Sequence, residues 1–137
     1  MLLFCKKSYC RMEHLAILDK KRKLLEKILT GEKTIESRWY VSQKTPYERI
    51  LIGERVYFKN SGDPVTACAE VDRALFFDNL DEWKIRDILR EYGSRIGIPA
   101  DYSSALIGKK YCTLIFLKNV ALVEPFGIDK KGFGMMA

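Results

Sequence analysis

Apolar and polar residues alternate along most of this chain with a period of two, and twice the rhythm changes to the wider spacing of a helix. His14 to Leu18 is a short apolar run and reads as a first strand. Asp19 is placed to cap a helix that the pattern carries from Lys20 to Thr30. Leu24, Leu25, Ile28 and Leu29 form its apolar stripe, and Lys20, Lys21, Arg22, Lys23 and Lys27 fill its other faces. Gly31 stands where such a helix stops. From Thr34 to Val41 the period returns to two, with Ile35, Ser37 and Trp39 on one face and Thr34, Glu36, Arg38 and Tyr40 on the other. Residues 42 to 52 read as a loop with a weak helical turn broken by Pro46. Arg55 to Asn60 is a strand with Val56 and Phe58 inward, and Ser61-Gly62-Asp63-Pro64 is turn chemistry. In the long strand Val65 to Phe77, Val65, Ala67, Ala69 and Val71 alternate with Thr66, Cys68, Glu70 and Asp72.

A second helix is expected after Asn79 as its cap, with Ile85, Ile88, Leu89, Tyr92 and Ile96 buried and Gly93 ending its regular part. A loop with Pro99 then leads to strands at Tyr111–Leu117 and Val120–Glu124, and residues 125 to 137 carry no clear period. Residues 1 to 11 differ from the rest, so the fold is expected to begin near Met12, with an N-terminal extension before it and one domain over 12–137. The predicted order is β-α-β-β-β-α-β-β. Two helices are too few for a sheet crossed by helices throughout, so the expectation is an α+β, mainly β chain: a small closed barrel with two flanking helices.

The chain has 137 residues, enough for one domain with a real core. Its formal net charge of +6 favours acidic partners such as RNA or DNA. Cys5, Cys10, Cys68 and Cys112 include no closely spaced pair, and His14 is the single histidine, so no metal and no cofactor are expected. Cys68 and Cys112 lie in apolar runs and read as buried free thiols of a reducing compartment. No apolar run is long enough to span a membrane, so no membrane partner is expected and the location is read as cytoplasmic. Oligomeric state is not legible.

The chemistry concentrates in Gly31-Glu32-Lys33-Thr34-Ile35-Glu36-Ser37-Arg38-Trp39-Tyr40. A helix ends and a strand starts at once, with Lys33 in the joint. Glu36 and Arg38 point the same way, about 7 Å apart along the strand. Three converging charges can hold a phosphate, orient a base, or exchange protons. Trp39 shares the face of Ile35 and reads as core, whereas Tyr40 shares the face of Arg38 and is the stacking candidate. Tyr57, Lys59, Asn60 and Ser61 are further candidate groove residues, and the Lys20–Lys27 cluster is a candidate phosphate track. Asp78, Asp81 and Glu82 read as charges favouring a helix N-terminus rather than as metal ligands.

Gly31, Lys33, Glu36 and Arg38 fit the G-x-K-x-x-E-x-R signature, and in this and in its element order from His14 onward the chain resembles the ASCH family. Lys131-Gly132-Phe133-Gly134 also resembles uncharacterised archaeal relatives. The resemblance implies a PUA-like β-barrel whose cleft is lined by the motif, and a protein that binds RNA. Some relatives are enzymes. One branch hydrolyses acetylated cytidine with a threonine, lysine and glutamate, and others are reported as ribonucleases. In the first branch the threonine falls where Glu36 stands here, so that nucleophile is missing, while the lysine matches Lys33. Three readings follow: an RNA-binding module; a small hydrolase on a modified nucleoside or RNA, with Lys33 and Glu36 as catalytic acid–base pair; or a structural domain, if the cluster is internally paired and the cleft filled.

Overall fold

The computed structural model describes residues 2–6, 11–42 and 49–128. Strands are β1 (Leu2–Lys6), β2 (Arg11–Leu18), β3 (Ile35–Tyr40), β4 (Arg55–Asn60), β5 (Val65–Phe77) and β6 (Tyr111–Phe126); helices are α1 (Leu24–Thr30) and α2 (Glu82–Ile96). They form one mixed sheet in the order β1-β2-β4-β5-β6-β3, antiparallel throughout except for the parallel pair β2–β4. The expected class holds: an α+β, mainly β domain with two helices.

Alternation decides which residues meet. Ala16 and Leu18 of β2, Val56 and Phe58 of β4, Ala67, Ala69 and Val71 of β5 and Ile115 of β6 share one cluster, which α1 closes with Leu24, Leu25 and Ile28. On the opposite face, Ile35 of β3 and Cys112, Leu114 and Phe116 of β6 pack beneath Ile85, Ile88, Leu89 and Ile96 of α2. Each Val, Leu, Ile or Phe side chain among them contributes roughly 1.5–3 kcal/mol by leaving water. Strand β3 packs Ile35 under α2 on one face and buries Glu36 on the other, while Ser37, Arg38 and Trp39 are only partly buried. Trp39 lies half-buried against the α2 cluster, on the face of Ile35.

Several local expectations are corrected. The segment 20–30 is not one helix. Lys20–Arg22 is a 3-10 turn, Lys23 breaks it at φ 53° and ψ 35°, and α1 starts at Leu24. Asp19 still caps the first turn, its Oδ1 accepting from the Lys21 N–H at 3.0 Å. Gly31 closes α1 at φ 83°. The cap of α2 is Asp81, whose carboxylate accepts from the Lys84 N–H at 2.8 Å, because Asn79 adopts the left-handed conformation two residues earlier. That helix runs through Gly93 and stops at Gly97, whose N–H donates to the Gly93 carbonyl. The loop 97–108 contains a 3-10 turn at Ala100–Leu106. The last two expected strands are one, β6, in which Asn119 takes φ 52° without ending the ladder.

Two findings concern the sheet margins. Residues Leu2–Lys6, expected as an extension, pair antiparallel with β2 from Leu2 opposite Leu15 to Lys6 opposite Arg11. The barrel is also not closed among the described residues: β1 and β3 are the ends of the sheet. Because β1 reaches only to Leu15, the backbone of Ala16–Leu18 runs on past it and faces the neighbourhood of β3. The turn expected at residue 46, the Lys131–Gly134 stretch and most of 125–137 lie outside the described residues.

Candidate functional site

The joint between α1 and β3 is fixed by backbone bonds. The Lys33 N–H donates to the Lys27 carbonyl at 2.9 Å, and the Thr34 N–H donates to the Arg95 carbonyl at 2.9 Å. These bonds turn the Lys33 side chain under the end of α2. Its Nζ donates to the carbonyl oxygens of Ile35 and Ile96 and lies 3.2 Å from Glu36 Oε1. Gly97 ends α2 at φ 84°, a conformation that disfavours a side chain, while a β-carbon there would make only ordinary contact with Lys33 Cδ at 3.7 Å.

Glu36 carries the charge onward. Its Oε1 also accepts from the Ser37 N–H at 3.2 Å, and its Oε2 accepts from Arg38 Nη2 at 2.9 Å. Lys33 and Glu36 side chains are only 2% and 4% exposed, whereas Arg38 is 16% exposed. Burial alone would raise the Glu36 carboxyl, but the Lys33 ammonium and the Arg38 guanidinium outweigh it and hold the pKa below the ordinary carboxylate value. Burial pulls the Lys33 pKa down, opposed by Glu36 and aided by Arg38 and Arg22. The three motif charges thus form a line, two inside and one at the surface.

Arg38 ends that line at an open cleft of about 240 Å³, lined by Ile17, Leu18, Asp19, Arg22, Leu24, Lys33, Glu36, Ser37, Arg38, Ile96 and Ile98. The cleft occupies the place where the sheet fails to close. Arg38 bridges it weakly, its Nη2 lying 3.5 Å from the Ile17 carbonyl beyond the end of β1. Its Nε–H is buried and has no hydrogen-bond partner among the described residues, an unusual state for a buried donor. Among the lining residues, three cations face two carboxylates.

Of the residues singled out from the sequence, Lys33, Glu36 and Arg38 meet as expected, and Gly31 serves as the exposed helix stop before them. Tyr40 is buried to 6% exposure, which pushes its hydroxyl pKa well above the usual value. It does not line the cleft, and so shallow an exposure leaves no ring face for stacking. Tyr57 packs with Leu15 and Val65 and meets Phe126 edge-on at 5.6 Å. Lys59 and Asn60 are buried beside Ile17 and Leu18 in the parallel register, and Ser61 is exposed with its N–H on the Leu18 carbonyl. None of these four lines the cleft. The basic run divides: Lys20 pairs with Asp63 at 3.1 Å, while Arg22 turns into the cleft. The sequence reading nominated Arg22 only within the Lys20–Lys27 phosphate track, and did not nominate Ser37 or the α2 end, Ile96 and Ile98. Nor did it nominate Tyr102, over whose ring Arg22 sits at 5.3 Å. Only the left-handed break at Lys23 separates Arg22 from the lysines around it.

The described chain is an open mixed sheet with α1 against one face, α2 against the other and a cleft at the unclosed margin. This fold is similar to the crystal structure of the ASCH protein from Zymomonas mobilis, with a TM-score of 0.65 over 86% of this chain and 75% of that one. A mutant form of that protein matches over 86% and 77% at the same TM-score. Sequence identity is 16% in both cases, so the likeness is one of fold. No protein-family profile matches the sequence, and no curated protein matches it.

Proposed function

We propose that this chain is an ASCH-type RNA-binding domain whose cleft takes a phosphate or a base edge on Arg38 and Arg22. The observation that carries the reading is the state of Arg38. Glu36 fixes its guanidinium through Nη2, and no bond among the described residues engages its Nη1 beside an open, net cationic cleft. A preoriented arginine with donors to spare suits phosphate and nucleic-acid edges better than a lysine would. The net charge of +6 and the exposed Lys20, Lys21 and Lys23 beside the cleft add long-range attraction for a polyanion.

The hydrolase reading draws less support. Lys33 Nζ is engaged by two carbonyls and Glu36, and Glu36 by three donors. An acid–base pair must exchange protons with substrate, and both groups would first have to give up these bonds. The purely structural reading meets half its condition: the cluster is internally paired, but the cleft beside it is open. Among the described residues no helix is long and apolar enough to cross a membrane. Cys68 and Cys112 are free, which fits action in the reducing cytoplasm.

The test is a binding titration against a pool of short structured RNAs at low and physiological salt. Wild type should bind with an affinity that falls steeply with salt. Arg38→Ala and Arg22→Ala should each weaken binding and reduce the salt slope by about one. Salt-insensitive or absent binding would overturn the proposal, and turnover of RNA or acylated nucleosides lost in Glu36→Gln would favour the hydrolase.

A further inference from the structure

The uncommitted hydrogen-bonding groups lining the cleft are mostly donors. Glu36, its one deep carboxylate, already accepts from Lys33, Ser37 and Arg38, three of about four acceptor sites it possesses. Asp19 sits at the exposed rim with Oδ1 occupied by the Lys21 N–H. Donors are in surplus. Arg38 lines the cleft with its bonds among the described residues all made through Nη2, to Glu36 and weakly to the Ile17 carbonyl. Ser37 accepts the Trp39 indole N–H at 3.0 Å, so its own hydroxyl proton is left to donate. Arg22 also lines the cleft and makes no ion pair among the described residues.

Size and surroundings narrow the ligand. A volume of about 240 Å³ falls below the roughly 300–1,000 Å³ of sites for drug-sized molecules. It has room for one ring system and not for a base pair. Ile17, Leu18, Leu24, Ile96 and Ile98 supply apolar walls for such a ring. At the mouth, Arg22 lies over Tyr102, which is 36% exposed and therefore keeps part of its ring free for a neighbouring base.

From these features we infer that the cleft takes a single unpaired keto base of RNA, guanine or uracil. Arg38 donates to its carbonyl-bearing edge, and Tyr102 forms a platform for the flanking base. Adenine and cytosine present exocyclic amines at the corresponding edges, and these would meet donors rather than acceptors. A paired base cannot enter at all. The inference rests on the RNA-binding reading and adds the identity and pairing state of the base.

The experiment uses the full chain and five fluorescent RNA hairpins, four differing only in one bulged nucleotide (U, G, A or C) and a fifth fully paired. Wild type should bind the U and G bulges about tenfold more tightly than the other three. Arg38→Lys keeps the charge but not the planar fork. It should bring all five within about threefold while retaining salt-dependent binding and a cooperative melt. Tyr102→Ala should lower affinity for the bulged hairpins about fivefold with an unchanged salt slope, and Tyr102→Phe should not. Preference for A or C, or equal affinity for all five, would overturn the keto-base assignment while leaving RNA binding intact. Unchanged affinity in Tyr102→Ala would remove the platform. Wild type that binds none of the hairpins would sink both this inference and the function on which it rests.

Discussion

Lys33 is a buried cation whose donors all have acceptors: two backbone carbonyls and the Glu36 carboxylate. Breaking such an arrangement from one side is far more costly than the arrangement itself is worth, because the remaining charge stays buried. Lys33→Met should therefore destabilise the domain by about 3 kcal/mol, read from urea unfolding. A loss below about 1 kcal/mol would mean that Glu36 is not confined as described. His14 gives a second prediction at this scale. It is fully buried, with Nε2 3.0 Å from Glu54 Oε1, and burial lowers its pKa from 6.5 against the opposing pull of Glu54. The unfolded chain takes up a proton near pH 6.5 that the folded chain does not, so stability should fall as pH drops from about 7 toward the lower folded value. The limiting slope is about 1.4 kcal/mol per pH unit. As this is the only histidine of the chain, thermal melts of His14→Gln between pH 7.5 and 5.5 should lose that slope. An unchanged slope would assign it elsewhere.

At the scale of elements, the turn from β2 into α1 decides what the basic run does. A continuous helix would have spread Lys20–Lys27 around one cylinder. The left-handed Lys23, which has no side-chain cap bond, instead ends one turn and starts another, leaving Arg22 against Tyr102 and the cleft. A β-carbon in that conformation costs roughly 1–2 kcal/mol. Lys23→Gly should relieve most of it and raise stability by about 1 kcal/mol, as read from the urea midpoint. It should leave Arg38-dependent binding in place, since Lys23 does not line the cleft. Lower stability would mean that the lysine side chain has a role its exposed position does not reveal.

At the scale of the whole molecule, the open margin of the sheet is the decisive feature. Strand β1 covers β2 as far as Leu15, and the cleft begins where that cover ends. Starting the chain at Met12 would remove five register pairs and bare the full edge of β2. Such a protein should melt about 5 °C lower and should self-associate more readily through the exposed edge. It should still bind RNA through Arg38, because no described residue before Ile17 lines the cleft. An unchanged melting temperature would mean that the first strand adds nothing to the domain.

Periodicity made most of the elements legible because burial rewards it directly. The alternation in Val65–Val71, the stop at Gly31 and the α1 stripe of Leu24, Leu25 and Ile28 appear where the sequence places them, whereas Leu29, expected in that stripe, is exposed. So does the convergence of Lys33, Glu36 and Arg38, since a helix stop followed by a strand leaves few directions for three residues at that spacing. Other features depended on energies set by distant parts of the chain. Tyr40 shares a face with Arg38, but that face turns into the packed interior one position further on. Asn79 has the chemistry of a cap, yet its left-handed backbone passes the role to Asp81. Lys23 carries no local signal for its left-handed turn.

By itself, the sequence determined the class of the fold and the identity of the charged line, because both follow from local spacing. Tertiary structure alone decided that the sheet stays open, that Lys33 and Glu36 occupy one another, and that Arg38 keeps a free donor at the margin. It also brought Arg22 and Tyr102, eighty residues apart, to one side of the same cleft. Those outcomes depend on which strand edges meet across the whole sheet, and no periodicity within a single strand encodes that meeting.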